Sequence, residues 1–189
     1  MQIKTKNKNQ KRIIEIIKVP EGIDVKIDKC AVTVKGPKGE IKKKFMHKNV
    51  ELELENSQIK ISPKKNTKRE KTITGTLKAH IKNMISGVKE PHKYVLKICS
   101  GHFPMNVSVA KNEFIVKNFL GEKMPRILKL KEGVNVKVEG EMVTVESADK
   151  EIAGQAAADI EQLTIRRNYD TRIFQDGIYI INKDGKEIK

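Results

Sequence analysis

The chain has 189 residues, of which 39 are Lys or Arg and 24 are Asp or Glu, for a formal net charge of +15, and 38% of its residues are hydrophobic. That apolar content suffices for packed cores and excludes global disorder, and no window of about 18 apolar residues exists from which to build a membrane span. Trp is absent and only 5 Phe and 3 Tyr occur, which argues against aromatic stacking platforms for single-stranded RNA.

Residues 1–12 are polar and lysine-rich, with no apolar core or small-residue cleavage site behind them, so no secretory leader is expected. A first strand is expected from Ile13 to Val19, ending at Pro20. Val25 to Ile27 and Val32 to Val34 alternate apolar and polar residues with the period of half-buried strands. Gly36-Pro37-Lys38-Gly39 carries turn chemistry before a strand at Ile41 to Phe45. Glu51 to Glu55 and Ile59 to Ile61 read as a hairpin across Asn56-Ser57-Gln58. Thr67 and Glu70 form a capping box that opens an amphipathic helix on Ile73, Leu77, Ile81, Met84 and Ile85, with Gly87 as its stop. Past Pro91, strands are expected at Tyr94–Cys99, Met105–Val109, Phe114–Lys117, Ile127–Leu130, Val134–Val138 and Val143–Glu146. A second helix starts near Ser147, with Asp149 and Glu151 in its first turn. Gly154 and the alanines at 156–158 let that helix lie close to a sheet. A last strand at Ile178–Ile181 ends the chain.

Residues 27–40 resemble residues 109–122 at one constant offset: Val34, Lys35, Gly39 and Glu40 correspond to Val116, Lys117, Gly121 and Glu122. Gly36 falls opposite Asn118, the other residue type that tolerates a left-handed backbone. A period of this length is too long for a solenoid, whose units run about 20–50 residues. The expected fold is therefore α+β, two tandem duplicated domains, each a mainly antiparallel sheet covered by one long helix. The boundaries are 1–90 and 91–189.

Little in the chain points to catalysis or a cofactor. There is no phosphate-loop signature and no Gly-x-Ser-x-Gly elbow. Cys30 and Cys99 form no C-x-x-C pair, consistent with a reduced, cytoplasmic chain. His47 and His80 belong to no His-x-x-x-His pair. His92, Cys99 and His102 are a conceivable metal set, but a fourth ligand is missing, and Cys99 reads equally as an inward-facing strand residue. The acids Glu51, Glu53 and Glu55 read as a solvated strand face.

Charge is distributed unevenly. Residues 1–89 carry +14 and residues 90–189 only +1, yet within the second half residues 92–131 carry +6 and 132–161 carry −6. Such an excess attracts polyanions. Arginine is scarce, with 6 in the chain, but Arg166, Arg167 and Arg172 cluster after the second helix. Guanidinium forks bind phosphate bidentately; alternatively, Arg166 and Arg167 simply compensate a helix C-terminus. On a strand, Lys43 points away from Lys42 and Lys44, so at most two of the three meet one ligand. Phe103 and Phe119 are either core plugs or a ligand-facing ridge.

Four segments make the chain recognisable: residues 83–88 (Asn83 to Val88), His102-Phe103-Pro104, residues 118–123 (Asn118 to Lys123), and the tail Arg172-Ile173-Phe174-Gln175-Asp176-Gly177-Ile178-Tyr179. In this order they resemble the large-subunit ribosomal protein L-six family, in the archaeal and eukaryotic form called L-nine in eukaryotes. The resemblance implies two similar α+β domains, no catalytic residue, and a C-terminal domain seated on large-subunit rRNA near the sarcin–ricin loop and stalk base. Neighbouring ribosomal proteins and translational GTPases are the implied protein partners. It places Arg166, Arg167 and Arg172 against rRNA, with Lys117, Lys123 and Arg126 flanking the 118–123 loop; His102 and Lys183 complete the expected contact set. Tyr169 stands where relatives often carry a basic residue, so its ring is expected to pack on ribose or base. Bulk charge nominates the first domain as the anchor, whereas the local surface and the resemblance nominate the second. A free RNA- or DNA-binding regulator using the lysine-rich face is the alternative reading.

Overall fold

A computed structural model describes residues 14–28, 31–45, 49–55, 57–170 and 172–188; residues 1–12, Cys30, His47 and Asn56 lie outside them. The chain divides between Lys89 and Glu90 into two compact units.

In the first unit the strands are β1 (Glu15–Lys18), β2 (Asp24–Asp28), β3 (Ala31–Gly36), β4 (Gly39–Lys44), β5 (Val50–Glu55) and β6 (Gln58–Pro63), followed by helix α1 (Lys68–Lys89). They form two three-stranded antiparallel sheets, β2-β3-β4 and β1-β6-β5. Alternation decides what faces inward: Val32, Val34, Ile59 and Ile61 are fully buried, and α1 lays Leu77, Ile81, Met84 and Val88 against strands of both sheets. Each such side chain contributes about 1.5–3 kcal/mol by leaving water.

Three local expectations change here. The Glu70 amide donates to Thr67 Oγ1 at 3.4 Å, but the Glu70 side chain turns inward and accepts from Asn49 Nδ2 at 3.2 Å, so only half of the capping box forms. Helix α1 runs past Gly87, which is buried inside it, and stops at Lys89; Pro91 disfavours helical backbone at Glu90 and sets the end. Gly36 is not left-handed like its counterpart Asn118. It is required because a Cβ there would fall 2.2 Å from Val88 Cγ1.

The second unit contains β7 (His92–Cys99), β8 (Asn106–Ala110), β9 (Glu113–Lys117), β10 (Arg126–Lys129), β11 (Asn135–Glu139), β12 (Met142–Ser147), α2 (Lys150–Leu163), β13 (Gly177–Lys183) and β14 (Lys186–Glu187). Its sheets are β8-β9-β10 and β11-β12-β7-β13-β14. The duplication holds to the residue: Val25 faces Val34, and 82 positions on Val107 faces Val116. The pairing of β1 with β6 and β6 with β5 recurs as β7 with β12 and β12 with β11. Two departures matter. Ile41 faces Val34, whereas Arg126 faces Val116, so the second connection is three residues longer. And β13 with β14 extend the second sheet beyond β7, β14 being a short strand after the expected last one.

Helix α2 is capped by Asp149, whose carboxylate accepts from the Glu151 amide, and it lies on β7, β12 and β13. Ala153, Ala156 and Ala157 are buried on its inner face, and a Cβ on Gly154 would meet the Tyr94 hydroxyl at 3.2 Å. Small residues let the helix sit close. Cys99 does not face inward: the burial alternation of β7 places it with Lys93 and Lys97 on the opposite side from Leu96 and Ile98.

Candidate nucleic-acid interface

The longer connection between β9 and β10 forms a short 3-10 turn over Phe119–Gly121, entered through Asn118 at φ 60°. Leu120 (φ 46°) and Gly121 (φ 76°) are left-handed as well. A bulky residue such as Leu120 in that region is strained, and such strain persists only where surrounding contacts hold it. Those contacts are plain. Phe119 is buried in the unit's core, and the Glu122 amide closes the turn on the Phe119 carbonyl at 2.9 Å.

Arg126 then locks the loop. Its Nε and Nη2 donate to the two Glu122 oxygens at 2.8 and 2.7 Å, its Nη1 donates to the Leu163 carbonyl at the end of α2 at 2.6 Å, and its guanidinium lies 4.3 Å from the Phe119 ring centre. Hydrogen bonds from Arg126, assisted by the charges of Arg126 and Arg166, hold the Glu122 carboxyl below its ordinary value of 4.5, against the opposing effect of burial. Expected from sequence to meet RNA, Arg126 works here as a tie between the loop and the helix terminus.

Arg166 extends the same network outward. Its Nη1 stands 3.7 Å from Glu122 Oε1, and its guanidinium lies 4.2 Å over the Tyr169 ring. The Tyr169 ring meets Phe174 at 81° and a centroid distance of 5.0 Å, and Phe174 stacks on His102 at 5.0 Å and 29°. His102 is in turn fixed by Asp176. The carboxylate receives the Gly101 and His102 amides on Oδ1 at 2.7 and 2.9 Å, and His102 Nδ1 stands 2.5 Å from Oδ2. Burial pushes the Asp176 carboxyl upward, but these contacts outweigh it and keep it below its usual range. A continuous ladder of contacts thus runs from Arg126 through the shared Glu122 carboxylate to Arg166, Tyr169, Phe174 and His102, and Asn168, between Arg166 and Tyr169, is left-handed at φ 69°.

The remaining expected contacts are distributed as follows. Arg167 is exposed and has no side-chain partner among the described residues. Arg172 is 88% exposed at its side chain and holds Asp170 with a fork, Nε to Oδ1 at 3.1 Å and Nη2 to Oδ2 at 2.8 Å. Lys117 and Lys123 are exposed at either end of the 118–122 loop. Lys183 stands apart: it ends β13, roughly 20 Å along the strand from Gly177 by extended-chain geometry. Phe103 and Phe119 divide the two readings between them. Phe119 is buried, while Phe103 is 48% exposed and lies against Gly121, where a Cβ would be 3.7 Å from its ring.

His92 and Cys99 sit at opposite ends of the eight-residue β7, about 23 Å apart, so they cannot share a metal. His92 Nδ1 instead pairs with Asp184 at 2.9 Å, which Lys150 also grips at 2.7 Å. Among the described residues no group of His, Cys, Asp or Glu is arranged to hold a metal ion, and no helix is long and apolar enough to cross a membrane.

Sequence reasoning missed Glu122, Glu161 and Asp176. Glu122 had a readable signal, its four-residue spacing from Arg126. Glu161, which accepts from the Ile180 amide at 3.1 Å, and Asp176, which clamps residues 75 positions away, had none.

Two copies of one small α+β unit, the second carrying a guanidinium–aromatic surface on a basic chain, define a binding protein of duplicated domains. The family model described as Ribosomal protein L6 matches this chain at residues 19–91 and again at 103–177, once in each unit. A large ribosomal subunit protein uL6 of Methanobrevibacter smithii is 44% identical over 173 residues, covering 91% of this chain and 97% of the relative. The protein of that name from Methanococcus vannielii is 44% identical over 174 residues, with 92% and 96% covered. That from Methanothrix thermoacetophila is 40% identical over 171 residues, with 90% and 97% covered. The chain belongs to the ribosomal protein L6 family.

Proposed function

We propose that this chain is a structural constituent of the large ribosomal subunit that grips large-subunit rRNA through its second unit. The site lies near the sarcin–ricin loop and the stalk base, where the protein supports the region used by translational GTPases. It acts by binding alone, within cytoplasmic ribosomes, with rRNA and neighbouring ribosomal proteins as its partners. Arg166, Arg167 and Arg172 meet phosphates, with Lys117 and Lys123 at the loop beside them; His102 is held in place by Asp176, and Lys183 reaches a separate part of the RNA.

The observation that carries the choice of unit is the ladder from Arg126 through Glu122 to Arg166, Tyr169, Phe174 and His102. It pre-positions cations and rings before RNA arrives, whereas the first unit's larger charge sits on lysines, which bind phosphate as point charges. Structured RNA is read by shape and backbone contacts, so a matched local surface outweighs net charge. The first unit's lysines steer assembly and add salt-dependent attraction.

Sucrose-gradient sedimentation of cell extract at high magnesium and moderate salt tests this reading. The chain should travel with large subunits and with whole ribosomes. Recovery only in the soluble fraction would favour a free nucleic-acid-binding regulator instead.

A further inference from the structure

Beside the end of α2 lies a cavity of about 230 Å³, lined among others by the rings of Tyr169, Phe174 and Tyr179, by Leu120 and Ile165, and by Glu161. We propose that it receives one unstacked guanine of the bound RNA, with the base's Watson–Crick edge on the Glu161 carboxylate; the proposal rests on the rRNA-binding reading above.

Size comes first. Pockets for drug-sized ligands run about 300–1,000 Å³, so this cavity suits a single flat ring system rather than a whole nucleotide or a helix edge. The walls are of the right kind, since splayed RNA bases are held by stacking on aromatic side chains. The rings are also held in place beforehand. Tyr179 lies so close to Gly177 that a Cβ there would come within 3.1 Å of it, and Tyr169 is fixed by Arg166 on its face and by Phe174. Yet Tyr169 and Tyr179 remain 40% and 41% exposed and Ile165 57% exposed, apolar surface that a stacked base would cover. The chain is poor in aromatics, and it concentrates three of them here.

Polar complementarity selects the base. Asp176 has both oxygens engaged by Gly101 and His102. Glu161 engages Oε1 with the Ile180 amide, while Oε2 has no partner among the described residues. A carboxylate accepts and does not donate. Guanine presents two adjacent donors, N1–H and N2–H₂, to such a group; adenine and cytosine present one amino group, and uracil one ring N–H. A partner protein's arginine would satisfy Glu161 equally well, and charge does not decide between them, since Glu161 and Asp176 line the cavity together with Arg166. The base is favoured because the three ring walls fit a flat ring system and the same unit carries the proposed rRNA surface.

Binding the full chain to deproteinised large-subunit rRNA and probing the RNA with hydroxyl radicals and with kethoxal tests the proposal. Radicals report backbone shielding; kethoxal reports guanine N1 and N2. Inside the shielded tract one guanine should lose kethoxal reactivity by about tenfold or more, the size one charge-assisted pair allows. Its reactivity should return toward the free-RNA level with Glu161→Gln, which keeps an acceptor for the Ile180 amide, and with Tyr179→Ala, each variant checked for a wild-type melting profile. A shielded tract in which no guanine is protected, or a guanine that stays protected in both variants, would overturn the cavity's assignment and leave the rRNA reading standing. Photo-crosslinks from positions 169 and 179 only to a protein in assembled particles would overturn it too. Absence of any shielded tract would remove the rRNA reading and this inference together.

Discussion

Arg126 clasps Glu122 at two points, 2.8 and 2.7 Å, while its third nitrogen caps the carbonyl of Leu163 at 2.6 Å. One side chain therefore joins the strained 118–122 turn to the last turn of α2, just ahead of Arg166 and Arg167 in the chain. Glu122 reaches Arg166 in the same arrangement, so the clasp also orients the first of the clustered arginines.

Removing the clasp should therefore loosen the surface as well as the fold. Arg126→Ala is expected to destabilise the second unit by about 2 kcal/mol, the loss of charge-assisted hydrogen bonds from a side chain still partly in contact with water. Arg126→Lys should recover less than half of this, because an ammonium cannot reproduce the fork. Thermal unfolding followed by circular dichroism measures both, and a lysine variant indistinguishable from the wild type would show that charge alone matters.

Gly36 and Val88 form a steric pair within the first unit. Gly36→Ala drives a methyl into the Val88 side chain and should cost about 1–3 kcal/mol, as overpacking does. Val88→Ala alone leaves a cavity, yet in combination with Gly36→Ala it should cost less than the sum of the two. Additive costs in urea denaturation would show that the contact is relieved by another route.

Acid should act on the second unit through three carboxyls. Hydrogen bonds from Arg126 hold Glu122 low. Burial opposes the shifts at Asp176 and Asp184, but His102 and the Gly101 amide, and Lys150 with His92, outweigh it. Because the folded values lie below the unfolded ones, the stabilisation is complete above the ordinary carboxylate range and is lost as pH falls through the folded values. Stability should hold from pH 7 to about pH 5 and decline below it. Arg126→Ala should flatten that decline by releasing Glu122. Urea midpoints across this range decide the matter; a second unit that gains stability on acidification would contradict the sign.

Strand positions were legible because period-two alternation is a local signal, and the offset of 82 between Val34 and Val116 foretold the shared register of β2–β3 and β8–β9. The division of each unit into two sheets was not legible, because it depends on pairings such as Ile17 with Ile59 that no local pattern encodes. Gly36 and Asn118 occupy equivalent positions for different reasons, one steric and one conformational, and composition cannot separate them. The arginine cluster was visible as a rare residue type concentrated in a short segment. The ring ladder was not: His102 and Phe174 lie 72 positions apart and meet where Asp176 pins the 101–102 turn beside the tail.

The central claim is that the second unit's arginines, rather than the first unit's lysines, are the specific anchor. The most direct test compares full-chain variants for affinity to large-subunit rRNA across a salt series. Arg166→Ala, Arg167→Ala and Arg172→Ala combined should weaken binding by about 100-fold or more, at roughly 1–3 kcal/mol per lost contact. Lys42→Ala with Lys44→Ala should cost little and mainly reduce the salt slope, by about one to two. Full affinity in the arginine variant, with collapse in the lysine variant, would contradict the account.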